Sequence, residues 1–124
     1  MPLAKSDHVA MLTAVSSIAA FNNWLDLKVI SATEGLVELG LTWRKEFGQC
    51  NGYLHASIVA GLIDTACGFA VATLSGAVLT SQLSVRFLKS YWNSYMIIVI
   101  YKGRRRVLPQ PSSEPDFYEV TVAT

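Results

Sequence analysis

The sequence predicts an α+β fold in which one long buried helix is wrapped by a curved antiparallel sheet. Three observations predict it. A long apolar stretch beginning near His55 repeats at helical spacing, the segments on either side alternate apolar and polar residues at period two, and the elements run helix, two strands, long helix, then about three strands. A helix that is apolar around much of its circumference is buried only if the sheet curls around it. The 124 residues suit one domain, 1–124, which buries roughly two thirds of the surface its unfolded chain exposes.

Ser6 or Asp7 can cap a first helix whose Met11, Leu12, Val15, Ile18 and Ala19 recur at helical spacing, with Thr13, Ser16 and Ser17 away from that stripe. That helix is expected to end near Asn22 and Asn23. From Leu25 the period becomes two: Leu25, Leu27 and Val29, a turn around Thr33 to Gly35, then Val37, Leu39, Leu41 and Trp43, an antiparallel hairpin with one buried face. Phe47 to Leu54 has two glycines and no period and reads as a loop. In the long helix after it, Ile58, Val59, Leu62, Ala66, Phe69 and Ala70 form a bulky side. Ser57, Ala60, Gly61, Asp64, Cys67 and Gly68 form a small-residue stripe, where a ligand or partner chain can approach the backbone. After Gly76, Leu79, Leu83, Val85 and Phe87 alternate with polar residues as a long half-buried strand. Met96 to Tyr101 is a short apolar strand and Phe117 to Val122 a last one. Pro109, Pro111 and Pro115 exclude a central strand between them.

Charged residues make up 15% of the chain against 52% apolar, lean enough in charge to predict further apolar surface hidden in an oligomer. The net charge of +1 supplies no basic field for nucleic acid. Cys50 and Cys67 match neither a CxxC pair nor a zinc-ligand set, so free thiols in a reducing cytoplasm are the simpler reading. Ile58 to Leu74 is short for a membrane span and would hold Asp64 near the bilayer centre, so a buried helix is preferred and no membrane role is expected. Val9 to Phe21 has the apolarity of an export signal, yet Asp7 precedes it and Thr13, Ser16 and Ser17 interrupt it.

Asp64 leads the candidates for chemistry, because an aspartate among apolar helix residues is costly unless paired, and a carboxylate placed that way can serve as a general base. A solvated position or a polar subunit contact explains it equally well from periodicity alone. His55 stands at the helix start, where the N–H groups of Ala56 and Ser57 could hold an oxyanion; a packing or capping histidine is the plainer reading. Gln49, Asn51 and Tyr53 offer polar groups to a carbonyl, and Gly52 permits a backbone conformation that other residues resist. Thr80 could orient a water, or could simply be a strand threonine. Lys102 and Arg104 to Arg106 could meet phosphates or form a solvated hairpin tip. There is no phosphate-cradling glycine loop, no GxSxG elbow and no metal-ligand cluster.

The run Gly52-Tyr53-Leu54-His55-Ala56-Ser57 through Leu62-Ile63-Asp64-Thr65-Ala66-Cys67-Gly68, followed by Leu79-Thr80 and Val85-Arg86-Phe87-Leu88, resembles the hotdog-fold acyl-CoA thioesterases of the PaaI-like branch. The likeness is close over residues 47 to 89, and the nine-residue step from His55 to Asp64 matches the family spacing. The chain has Ala56 where a glycine usually follows the histidine, and Lys89-Ser90 where a proline is common. The resemblance implies a hotdog fold and thioester hydrolysis. It makes Asp64 the base or nucleophile and the Ala56 N–H the group that polarises the carbonyl. Gln49 holds substrate or water, and Thr80 orients the water from across a subunit interface. On their own chemistry, apart from the resemblance, Asn51, Gly52, Ser57, Arg104 and Arg105 are expected to contact substrate. The implied partner is an acyl-CoA, a coenzyme A thioester acting as substrate with no cofactor or metal, and the implied assembly is a homodimer or homotetramer. The main alternative is a hotdog protein that binds acyl-CoA without hydrolysing it. An enoyl-CoA hydratase or a purely structural dimerisation module are further alternatives.

Overall fold

The computed structural model describes residues 5–76, 79–80, 82–85, 96–106 and 117–123. In chain order the elements are α1 (Lys5–Ile18), α2 (Ala20–Leu25), β1 (Lys28–Thr33), β2 (Leu36–Leu41), a 3-10 turn (Lys45–Phe47), α3 (Ala56–Ser75), β3 (Met96–Arg106) and β4 (Phe117–Ala123). The strands form one antiparallel sheet in the order β1-β2-β3-β4. The bulky face of α3 packs on β2 and β3.

The hairpin and α3 follow the predicted pattern. Val37, Leu39 and Leu41 are buried on β2, and Gly35 takes φ 70° in the turn that joins the strands. The Gly35 N–H donates to Thr73 Oγ1 at 2.7 Å, which ties that turn to α3. Ile58, Val59, Leu62, Ala66, Phe69 and Ala70 are all buried, so the bulky side of α3 is the core. By length and composition α3 could cross a membrane, but this buried face is that of a helix laid on a sheet.

Four expectations are corrected. The first helix breaks at Ala19 and Leu25 closes α2, so the strand starts at Lys28. Polar side chains compete for the backbone there: Ser17 Oγ donates to the Ala14 carbonyl at 2.6 Å and Asn23 Nδ2 to the Ser17 carbonyl at 2.7 Å. Ser6 and Asp7 lie within α1 rather than capping it, and the buried line is His8, Leu12 and Ser16, while Val15 and Ile18 are exposed. The packing surface of β1 selects that line over the most apolar one. The strand expected after Gly76 is absent from 79–80 and 82–85, where Leu79 is 98% exposed and Leu83 is exposed too. Strands exist through ladder bonds, and among the described residues nothing pairs with this segment; the rest of that expected strand lies outside the described residues, as do Pro109, Pro111 and Pro115. Finally, β3 continues through Lys102 to Arg106, so the basic run is strand rather than hairpin tip. Pairing with β4 carries it on, Arg104 opposite Glu119 and Arg105 opposite Tyr118, past an irregularity after Tyr101.

Candidate active site

His55 is the N-cap of α3. Its Nδ1 accepts from the Ser57 N–H at 3.0 Å and lies 2.7 Å from Ser57 Oγ. The nitrogen that accepts carries no proton, so a neutral His55 bears its N–H on Nε2. The other leading amides are also engaged: the His55 N–H bonds the Phe47 carbonyl at 2.8 Å, and those of Ile58 and Val59 reach the His55 carbonyl at 3.0 and 3.4 Å. Among the described residues only the Ala56 N–H in this first turn meets no acceptor. An oxyanion at this helix start would therefore meet the Ala56 N–H first, since that of Ser57 already donates to His55 Nδ1.

The preceding loop is folded on itself. Gly48 and Leu54 form an isolated antiparallel bridge, the Gln49 N–H donates to the Tyr53 carbonyl at 2.8 Å, and that of Gly52 to the Gln49 carbonyl at 3.1 Å. Gly52 has φ 85°, a left-handed conformation that explains glycine at this position. Gln49 is half-buried, and its side-chain oxygen accepts from the Asn51 N–H. Its amide NH2 is thus the group left for a ligand, while Asn51 supports the loop.

Asp64 lies at the middle of the small-residue face of α3, half-buried. Thr80 Oγ1 donates to its Oδ1 at 2.6 Å. The bond joins two residues of the same chain, so within one protomer the Thr80 hydroxyl already reaches Asp64. Cys67, one turn on, is half-buried, and burial together with the Asp64 carboxylate pushes its thiol from 9.0 up to about 11. Both cysteines are free thiols. The two ends of the stripe differ: a Cβ added at Gly61 would stand 2.9 Å from Phe21 Cζ, whereas one at Gly68 would meet nothing within 4 Å among the described residues.

Phe21 is the residue that sequence reasoning missed, since the contact joins positions forty apart and leaves no local pattern. It belongs to an aromatic row. Its ring stacks on Trp24 at 6.3 Å between centroids, Trp24 meets Phe47 edge to face at 5.1 Å, and the Arg44 guanidinium lies 4.2 Å from the Phe47 centroid and 5.1 Å from that of Trp24. Arg44 also donates to the Trp24 carbonyl at 2.5 Å. Arg104 and Arg105 sit on β3, in register with Glu119 and Tyr118. Among the described residues no group of three or more His, Cys, Asp or Glu could hold a metal ion.

A long helix packed on an antiparallel sheet is the hotdog arrangement. Known proteins agree. The structure matches the E. coli PaaI protein from the phenylacetic acid degradation operon with a TM-score of 0.75 at 17% identity, covering 96% of this chain and 83% of that one. It matches a thioesterase family protein from Silicibacter pomeroyi with a TM-score of 0.72 at 26% identity, covering 79% and 76%. A provisionally named esterase of Saccharolobus solfataricus is 31% identical over 85 residues, which are 64% of this chain and 61% of that protein. The match thus spans about three fifths of the length of that curated relative. No family model matches the chain. The chain is a hotdog-fold protein whose structural neighbours are PaaI and other members of the thioesterase superfamily.

Proposed function

We propose that this protein is an acyl-CoA thioesterase that hydrolyses a thioester to a free acid and coenzyme A, with Asp64 as general base or nucleophile. The observation that carries it is the Asp64 carboxylate, held at Oδ1 by Thr80 on a helix face that is open at Gly68 among the described residues. With Oδ1 occupied, Oδ2 is the oxygen that takes a proton from water. The hydroxide so formed adds to the thioester carbon, the oxyanion is received by the Ala56 N–H, and collapse of the tetrahedral adduct breaks the C–S bond. The departing thiolate recovers the proton from Asp64. In the nucleophilic variant the carboxylate itself attacks, and water then hydrolyses the mixed anhydride.

One chain does not complete this site. Eight residues of α-helix rise about 12 Å, so Ala56 and Asp64 of one α3 stand too far apart to touch the same carbonyl. Two copies with antiparallel α3 helices related by a two-fold axis bring each Asp64 toward the partner's Ala56. The low charge content and the exposed Leu79 and Leu83 support such a homodimer, alone or doubled to a tetramer.

The test is release of free thiol by purified protein from a panel of short, medium, long and aromatic acyl-CoAs. Release from at least one member is expected. Binding of acyl-CoA by folded protein with no release from any member would refute hydrolysis and leave a non-catalytic binder.

A further inference from the structure

Phe21 and Gly61 meet at the face of α3 that carries Asp64. Positions 61 and 64 are neighbours on one face of a helix, and the rise between them is about 4.5 Å. A single added carbon at Gly61 would come within 2.9 and 3.0 Å of Phe21 Cζ and Cε1, so no ligand atom fits between the ring and the helix there. On the other side of Asp64, a Cβ at Gly68 would meet nothing within 4 Å among the described residues. The ring is nevertheless 46% exposed, so it borders accessible space while blocking the stripe. It is also held in place: stacked on Trp24, whose own ring and carbonyl are gripped by Phe47 and Arg44.

We propose that Phe21 is the specificity-determining wall of the acyl side of the Asp64 site, and that it restricts the substrate to short acyl chains. The inference rests on the thioesterase reading. An acyl chain running from a thioester carbon at Asp64 toward the start of α3 has about one helical turn before it meets the ring. Because Trp24, Phe47 and Arg44 brace the ring, it acts as a fixed stop rather than as a side chain that swings aside. Gly61 is part of the device, since any side chain there would displace the ring.

The experiment measures kcat/KM for acetyl-, butyryl-, hexanoyl- and octanoyl-CoA with the wild type, Phe21→Leu and Phe21→Ala, alongside melting curves. Each methylene newly admitted to an apolar site is worth about fourfold. The octanoyl-to-butyryl ratio is therefore expected to rise at least tenfold in Phe21→Ala, with Phe21→Leu between. An unchanged ratio in folded variants, whatever the absolute rates, overturns the proposal, as does a wild type that already prefers octanoyl-CoA. Should Phe21→Ala not fold, Phe21→Leu alone decides by the same ratio. A wild type that hydrolyses nothing defeats the thioesterase reading by itself. The wall is then read from dissociation constants by calorimetry, where the same shift toward octanoyl-CoA supports it, and an unshifted profile or no binding overturns it.

Discussion

Replacing Thr80 by valine removes the hydroxyl that donates to Asp64 Oδ1 at 2.6 Å and keeps the β-branched shape. A hydrogen bond to a charged group is worth about 1.5–3 kcal/mol. Thr80 is exposed and Asp64 half-buried, so the lower end applies, and about 1.5 kcal/mol corresponds to roughly a tenfold loss of kcat. Thr80→Ser, which retains the donor, should recover most of it; a merely structural threonine would not show this rescue. The assay is thiol release with the melting temperature as control. A mixed dimer adds a sharper reading. In a dimer of one Asp64→Asn chain and one Thr80→Val chain, same-chain pairing leaves one dead site and one weakened site, about one twentieth of the normal rate. Had Thr80 served the partner's Asp64, both defects would fall on one site and half the activity would survive. Half activity in the mixed dimer, or Thr80→Val turning over at the wild-type rate, would refute the role assigned to this bond.

Alkylation of Cys67, followed in a Cys50→Ser background, should be slow at pH 8 and accelerate about tenfold per pH unit toward pH 11, because the thiolate reacts and burial with Asp64 holds the thiol protonated to about 11. Asp64→Asn should lower that midpoint; a midpoint that does not move would mean the carboxylate does not act on Cys67. The same raised value makes folding weaken as pH climbs from about 9 to about 11, since the unfolded chain loses this proton first. His8 is 4% exposed and neither ring nitrogen has a hydrogen-bond partner among the described residues. His8→Leu should therefore stabilise the fold by about 1–3 kcal/mol, a rise of about 4 °C per kcal/mol at this chain length, and a fall in melting temperature would contradict the unpaired ring.

What the sequence could reveal was whatever local spacing encodes. The bulky face of α3, its start after His55, the turn at Gly35 and the left-handed Gly52 each follow from a period or from a residue's own backbone preference, and each is found. The thioesterase likeness rested on a motif around His55 and Asp64 that the neighbouring structures support at the level of the fold. What stayed hidden depends on contacts between distant positions. The break at Ala19 arises from Ser17 and Asn23 bonding backbone carbonyls, and Phe21 seats on Gly61 only once α2 has turned away from α1. The alternation at Leu79, Leu83 and Val85 predicts a strand, yet a pattern of side chains does not supply a ladder partner. The basic run after Tyr101 looked like a tip because charge and glycine end apolar strands, whereas pairing with β4 extends β3 through it.

Asp64 as the base or nucleophile is the central claim, and kcat for Asp64→Asn beside its melting temperature tests it most directly. The amide fills the same space and can still accept from Thr80, but it neither takes a proton from water nor attacks a thioester. A fall of about 10²- to 10⁴-fold in kcat is expected, with the melting temperature unchanged or raised by loss of a partly desolvated charge. Near-normal turnover by a folded Asp64→Asn protein would make Asp64 a structural residue and contradict the mechanism.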